Sequence, residues 1–364
     1  MRGAEGATSF PADGRPRHAT QGARNTDDVD NVGEAPGATM RLAALAFLAL
    51  SVSLAGTGCS EQSGSRQVIE INDHLIAFYD GRDPNLKRYS AEWNWVDDGA
   101  MKLGVATYAI HKGDQALVYD TFTSTDQARW ARDHLKKKGV RRFTVVLSHW
   151  HPDHIGGNAV YSDSPIIASD VGRNTLAKLK TDLEEGKAFG PPGIKPLVLP
   201  SIGYRGSMDL YVGDIKVELH NINIHSPDST VILIPSDKIL LAGDTLEDSV
   251  TFMVEIAELP EHVRNLRNMK FLKFDRIYPN HGDPKVIAGG GYKRTFIDAT
   301  TGYITRMVQR AQDKNYLTSA LENYIGDSVK KGWISLYEPY REVHTDNLKA
   351  VHKYWSKRPP PEMR

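Results

Sequence analysis

Four side chains that can bind a metal ion fall within residues 149–154: His149, His151, Asp153 and His154. Side chains of alternate residues in an extended chain point to the same side, so His149 and His151 can bind the same metal ion. Asp153 and His154 can then address a second point close by. Imidazole and carboxylate donors suit zinc, with manganese and iron as alternative metals. So dense a cluster predicts a metal centre rather than a polar turn.

Two metal ions bound at neighbouring points would favour hydrolytic chemistry. Ions about 3.5–4 Å apart can share a hydroxide, because metal binding lowers the pKa of water to about 7. That hydroxide can attack a carbonyl or phosphoryl centre, while a neighbouring carboxylate orients it and relays its proton. Asp153 is the candidate for this catalytic role.

The amino-acid composition limits which residue types can bind the metal and which classes of partner the protein can have. The 364-residue chain has one cysteine, Cys59, and thirteen histidines, so a metal site must use histidine and carboxylate ligands. Its formal net charge is zero, and no basic run carries interleaved aromatic residues. We therefore expect a small-molecule substrate and no nucleic-acid partner; the sequence does not indicate an oligomeric state.

The elements around the cluster are suited to holding it. The continuous apolar run 143–147 predicts a buried strand that ends just before His149. Pro152 keeps His151 out of helical backbone geometry. Gly156 and Gly157 allow close backbone approach at this corner.

Strands and helices alternate twice along the rest of the chain, which favours two sheets packed between helices. Predicted strands are 68–71, 74–79, 104–111, 115–120, 165–169, 208–212, 215–220, 230–235, 239–242 and 276–279; predicted helices are 125–138, 171–185 and 260–273, with mostly helical structure from Tyr292 onward. Segments 92–99 and 186–206 are predicted to be loops, the second because it is rich in Pro and Gly. We expect these loops to form walls of a substrate cleft, with Trp93 and Trp95 on the first.

The pattern His-x-His-x-Asp-His followed by Gly-Gly resembles the signature of the metallo-β-lactamase superfamily. Further elements of that signature follow in order, over roughly residues 67–285. They are Asp120 at a strand end, His225 in His-Ser-Pro-Asp-Ser, Asp244 in Gly-Asp-Thr and His281 in Asn-His-Gly. The resemblance implies an α/β (α+β) fold: an αββα sandwich of two mixed sheets flanked by helices, with a C-terminal helical extension.

The resemblance also implies a ligand set. His149, His151 and His225 would bind the first zinc ion, and Asp153, His154 and His281 the second. Asp244 would bridge the two ions. Asp120 would not bind metal itself but would orient the loop that carries His149, His151 and His154. His220, near His225, is expected to be structural. Six histidines without motif context are expected at the surface: His74, His111, His134, His262, His344 and His352.

Asp244 separates several activities within this family. Zinc β-lactamases that resemble the 225–244 segment place a cysteine at this position, whereas glyoxalase II and the lactonases place an aspartate there. We therefore expect hydrolysis of a lactone, lactam or ester by a hydroxide that bridges two zinc ions. Three alternatives stay open: a zinc β-lactamase proper, a mononuclear iron enzyme like the persulfide dioxygenases, and a non-catalytic metal-stabilised binding module.

The N-terminal residues predict export from a bacterial cytoplasm. Residues 1–39 have the composition of a disordered segment or a mis-assigned start, with Met40 as the alternative to Met1. Residues 40–59 resemble a secretory signal that ends in a lipobox-like Cys59. A tether at 60–66, a metallo-β-lactamase domain at 67–290 and a helical extension at 291–364 would follow. We expect a periplasmic protein or an outer-membrane lipoprotein, with membrane contact only through a lipid on Cys59.

Overall fold

The computed structural model describes residues 65–363. The predicted segments 1–39 and 40–59, and most of the predicted tether at 60–66, lie outside the described residues. Within the described part of the chain, every helix is too short or too polar to cross a membrane.

The first sheet is mixed and has seven strands in chain order. They are β1 (Gln67–Glu70), β2 (Leu75–Asp80), β3 (Val105–Lys112), β4 (Gln115–Tyr119), β5 (Arg142–Val146), β6 (Ile166–Ser169) and β7 (Ile202–Tyr204). Strands β1 to β4 pair antiparallel, and β4 to β7 pair parallel. The β3–β4 hairpin confirms the prediction for 104–120.

The second sheet has six strands in the order β13-β12-β11-β10-β9-β8. They are β8 (Ser207–Val212), β9 (Ile215–Asn221), β10 (Thr230–Ile234), β11 (Ile239–Gly243), β12 (Arg276–Pro279) and β13 (Tyr292–Lys293). Only β11 and β12 pair parallel, so this sheet is also mixed. A buried cluster that includes Tyr108, Leu117, Leu219 and Leu241 fills the space between the sheets.

Helices flank the sheets and connect their strands. They are α1 (Thr125–Lys137), α2 (Pro152–Ile155), α3 (Asp170–Glu184), α4 (Leu259–Met269), α5 (Pro284–Ala288), α6 (Thr295–Gln309), α7 (Glu322–Lys330) and α8 (Tyr340–Trp355). Apolar residues of α1 and α3 share a core cluster with the first sheet, and those of α4, α6, α7 and α8 share one with the second. The fold is an αββα sandwich of two mixed sheets flanked by helices, as the sequence resemblance implies.

Helix α1 shows how the sequence sets these elements. Ser124 caps its start, with the side chain accepting a hydrogen bond from the Gln127 amide. Ala128, Ala131 and Leu135 recur at helical spacing and are buried against the first sheet.

Two predicted loops contain regular structure. Segment 92–99 was predicted to be a loop, but a π-helical turn runs over Trp95–Met101, and Asn94 caps its start. Segment 186–206 contains β7, which extends the first sheet beside β6. The loop prediction was wrong for 95–99 and for Ile202–Tyr204, where tertiary pairing imposed order on a segment with turn-forming residues. The rest of 186–206 has no helix or strand, as predicted.

The C-terminal helices share a core with the second sheet. Leu240 and Ala242 of β11 belong to the same buried cluster as Tyr303 of α6 and Leu348 of α8. A large apolar contact of this kind restrains the motion of α6 to α8 relative to the sheet.

Candidate metal centre

The predicted ligands meet where several strands end. Asp120 and Ser148 follow the parallel strands β4 and β5, and Asp244 and His281 follow the parallel strands β11 and β12. The carboxyl ends of parallel strands lie at one edge, so each sheet delivers two polar segments to the same place.

Backbone geometry at this edge is tight. A Cβ atom on Gly156 would lie 2.2 Å from the Thr123 carbonyl oxygen, and one on Gly157 would lie 2.2 Å from that of Thr121. Both positions therefore require glycine. Asp120 and His225 each have a φ of +69°, which is unfavourable for side-chain-bearing residues and is concentrated at functional sites.

Three ring nitrogens converge to form what we call the imidazole cluster: His149, His151 and His225. His149 Nε2 lies 2.9 Å from His151 Nδ1, and His225 Nε2 lies 3.0 Å from the same atom. All three side chains are buried. Because each ring offers one nitrogen to a common point, the cluster has the form of a three-histidine metal site.

A second group, here called the carboxylate cluster, contains Asp153, His154, Asp244 and His281. His281 Nε2 lies 3.1 Å from Asp153 Oδ2 and 3.4 Å from Asp244 Oδ2. His154 Nε2 lies 3.1 Å from Asp244 Oδ2. The same Asp244 oxygen is 3.7 Å from His149 Nε2, so Asp244 adjoins both clusters.

In three of the histidines, a hydrogen bond from Nδ1 fixes the direction in which the Nε2 lone pair points. His281 Nδ1 donates to the Gly104 carbonyl at 2.6 Å, and His225 Nδ1 donates to that of Phe252 at 3.2 Å. His154 Nδ1 donates to Asp120 Oδ2 at 2.8 Å. A neutral ring bound in this way directs its Nε2 lone pair into the centre.

This donor set fits metal ions. The Nε2 lone pairs of neutral His154 and His281 would face carboxylate oxygens, an arrangement that needs a proton or a cation between them. Asp244 Oδ1 is also buried without a hydrogen-bond partner among residues 65–363. The described side chains could therefore hold metal at both clusters.

The two clusters differ in protonation. Burial, reinforced by His154 and His151, holds the pKa of His149 well below its ordinary value, and burial likewise lowers the pKa of His151 to about 3. Burial alone would also lower the pKa of His154 and His281, but Asp244 and Asp153 outweigh it and raise both well above the ordinary value.

Asp120 lies outside both clusters and is linked to each of them by hydrogen bonds. Its Oδ1 accepts the Ser148 amide at 2.6 Å, and its Oδ2 accepts the Ser148 hydroxyl at 2.6 Å and Asn280 Nδ2 at 2.7 Å. The Ser148 hydroxyl is also 2.9 Å from His149 Nδ1. One buried carboxylate thus orients both His154 and, through Ser148, His149.

The sequence did not indicate several buried polar residues near the centre. Glu247 lies 3.7 Å from His225 Nδ1, and burial raises its pKa to about 8. Asp228 is also buried, which raises its pKa to about 7. In the sequence, only its position three residues after Asp244, at the end of the Gly-Asp-Thr-Leu-Glu run, could have pointed to Glu247.

Two of the six histidines predicted to lie at the surface are buried. His262 on α4 is 2% exposed and His344 on α8 is 3% exposed. Each lies on the inner face of an amphipathic helix, which the absence of a motif does not reveal. His220, predicted to be structural, lies on β9 at 3.5 Å from Glu218.

Comparison with known proteins identifies the family. Residues 101–281 match the profile described as the metallo-beta-lactamase superfamily. A linear primary-alkylsulfatase from Pseudomonas sp. is 22% identical over 215 residues, 48% of this chain and 41% of that protein. An atrochrysone carboxyl ACP thioesterase from Aspergillus fumigatus is 27% identical over 193 residues, 50% of this chain and 53% of that protein.

Solved structures include a metallo-beta-lactamase from Pontibacter korlensis, with a TM-score of 0.46, 15% identity and coverage of 64% of this chain and 99% of that one. The chain spans about half the length of the curated relatives it matches. With its signature residues gathered at one edge of an αββα sandwich, this chain belongs to the metallo-β-lactamase superfamily.

Proposed function

We propose that this protein is a metal-dependent hydrolase with two zinc ions. His149, His151 and His225 would hold one ion, and Asp153, His154 and His281 the other. Asp244 would bridge them. The observation that carries the proposal is the convergence of two donor groups on one carboxylate, because Asp244 Oδ2 lies within 3.1–3.9 Å of four histidine nitrogens.

Zinc held in this way would supply a water of near-neutral pKa and an electrophile for the scissile bond. Asp153 is placed to manage the proton. Burial would raise the pKa of Asp153, but His154 and His281 lower it to about 2. The carboxylate is therefore ionised at neutral pH, and it is the most exposed member of its cluster, with its side chain 16% exposed. It can orient the nucleophile and relay its proton.

The scissile bond we favour is a carbonyl-type bond, in a lactone, a lactam or an ester. An aspartate at position 244, rather than the cysteine of many zinc β-lactamases, supports a general hydrolase. The relatives named as a thioesterase and an alkylsulfatase add thioesters and sulfate esters to the bonds that need testing. A zinc β-lactamase, a mononuclear iron dioxygenase and a non-catalytic module remain the competing functions.

An aromatic wall beside the imidazole cluster supports a substrate with an apolar group near the scissile bond. Phe189, from segment 186–206, packs its ring 5.8 Å from that of His151 and 5.2 Å from that of Trp150. The backbone carbonyl of Phe252 contacts His225, and Phe252 is 43% exposed. The cleft role expected for Trp95 changes: it is buried, and its Nε1 donates to the Pro192 carbonyl at 3.0 Å, so it supports the segment rather than facing a ligand. Trp93 is 70% exposed.

We also propose export, with residues 40–59 as signal and Cys59 as lipid acceptor. The domain limits 67–290 and 291–364 belong to the same proposal. Fractionation of cells that express the full chain, with fatty-acid labelling of wild type and Cys59→Ser, tests it. Unlabelled protein in the periplasm would leave export intact and remove the anchor.

The activity is tested with a panel of lactones, β-lactams, esters, thioesters and alkyl sulfates. Asp153→Asn serves as the matched variant, since it keeps the side-chain size and removes the proton acceptor. We expect turnover of one carbonyl class, a deep loss in Asp153→Asn and no loss in Asp133→Asn, an exposed change on α1. Oxygen consumption with no hydrolysis would replace the hydrolase with the iron alternative.

A further inference from the structure

The segment that follows Asp244 contacts His225 on one side and the C-terminal helices on the other. The Phe252 carbonyl accepts the hydrogen bond from His225 Nδ1. Glu247 Oε1 binds the segment 251–253, accepting hydrogen bonds from the Phe252 amide at 2.9 Å and from the Thr251 hydroxyl at 3.1 Å. The direction of the His225 ring therefore depends on where residue 252 lies.

Asn347 on α8 brackets this residue. Its Nδ2 donates to the Thr251 carbonyl at 2.9 Å, and its Oδ1 accepts the Met253 amide at 2.9 Å. The side chain is fully buried. Both ends of the amide are used, so a flipped orientation would set donor against donor and acceptor against acceptor.

The bracket is anchored deeper in the extension. Asn347 Nδ2 also donates to the Tyr303 hydroxyl at 3.1 Å, and that hydroxyl lies 3.0 Å from His344 Nδ1. His344 Nε2 lies 3.0 Å from the Ser319 carbonyl, which can only accept. His344 therefore carries its proton on Nε2, Tyr303 donates to Nδ1, and every donor has one consistent acceptor.

We infer that Asn347 is a positioning residue for the metal centre, acting on His225 through the segment 251–253. The inference rests on the proposed metal role of His225. It makes the C-terminal helices, which lie beyond the family match at 101–281, a working part of the site. Residues that orient a histidine ligand typically change metal affinity 10–100-fold when they are replaced.

The test compares Asn347→Leu with two other variants of the full chain. Asn347→Asp keeps the acceptor for the Met253 amide and loses both Nδ2 donations. Tyr316→Phe is the matched control. It removes a buried hydroxyl of the same extension, which donates to the Met307 carbonyl and not to segment 251–253 or Asn347. Zinc affinity is measured by chelator competition, and amide hydrogen exchange at Phe252 and Met253 is measured in the metal-free protein.

We expect Asn347→Leu to weaken zinc binding 10–100-fold and to speed exchange at both amides, Asn347→Asp to fall between it and wild type, and Tyr316→Phe to change neither. Unchanged exchange in Asn347→Leu would overturn the inference, and so would faster exchange with unchanged zinc affinity. An equal effect of Tyr316→Phe would reduce Asn347 to a general contribution to stability. Wild type without zinc affinity would instead refute the proposed function.

Discussion

The imidazole cluster and the carboxylate cluster lie side by side but present different charge. The first offers neutral nitrogens whose pKa values burial keeps low. The second surrounds two histidines with carboxylates that raise their pKa values. Protons therefore compete weakly with metal at the first cluster and strongly at the second. The comparison teaches that one fold can place two donor groups of different charge side by side, with Asp244 as the shared element.

Removing Asp244 should have the largest effect, because its Oδ2 adjoins both clusters. We expect Asp244→Ala to lower turnover by more than about 100-fold, beyond the range for a residue that only orients a ligand. Metal content and turnover are measured together. Asp237→Ala is the control. Asp237 lies between β10 and β11, where its carboxylate pairs with His74. Retained turnover with two bound ions would remove Asp244 from the centre.

Replacing one histidine of each cluster should separate them. His225→Ala should cost the ion of the imidazole cluster, and His281→Ala that of the carboxylate cluster, each lowering turnover by about 100-fold. Cobalt substitution followed by absorption spectra identifies which site is lost. Identical spectra for the two variants would mean that the clusters are one site.

Asp120→Asn should weaken both clusters, because an amide cannot accept all the hydrogen bonds that reach the carboxylate. We expect a 10–100-fold loss of zinc affinity. Ser148→Ala breaks only the branch to His149 and should cost less. Chelator competition on both variants checks the order, and a larger loss in Ser148→Ala would reverse it.

Phe189→Ala should change substrate binding and leave both clusters loaded. Loss of an apolar contact beside His151 should raise KM about tenfold, with kcat and metal content little changed. Phe271→Ala, an 84% exposed position, is the matched control. Equal KM values for Phe189→Ala and wild type would exclude the aromatic wall.

Asp228 gives the smallest effect on turnover and a clear pH signature. Its folded pKa of about 7 exceeds the unfolded value, so the native state keeps a proton that the unfolded chain releases. The stability that this group contributes is therefore complete below about pH 4 and is lost as pH rises to about 7. Asp228→Asn should gain stability relative to wild type as pH rises from about 4 to about 7, by up to about 4 kcal/mol. Urea unfolding of both metal-free proteins measures the difference, and a constant difference would contradict it.

The sequence predicted the elements that carry local signals. The apolar run before His149 and the repeating apolar positions of α1 correspond to β5 and α1. The resemblance named seven residues that the fold gathers at one edge, across separations as large as that between Asp153 and His281.

Asn347, Glu247 and the burial of His344 could not be predicted. Their importance lies in contacts such as that between Asn347 and Thr251, which join distant segments and leave no periodic pattern in the chain. The π-helical turn at Trp95 belongs with them, since it is held in part by the Pro192 carbonyl.

Metal content tests the central claim most directly. The protein is purified, its metals per chain are counted, and turnover of the substrate panel is followed during chelation and zinc restoration. The account predicts two zinc ions per chain and hydrolysis that is lost with chelator and recovered with zinc. Hydrolysis that survives complete metal removal, or a chain that binds no metal tightly, would contradict it.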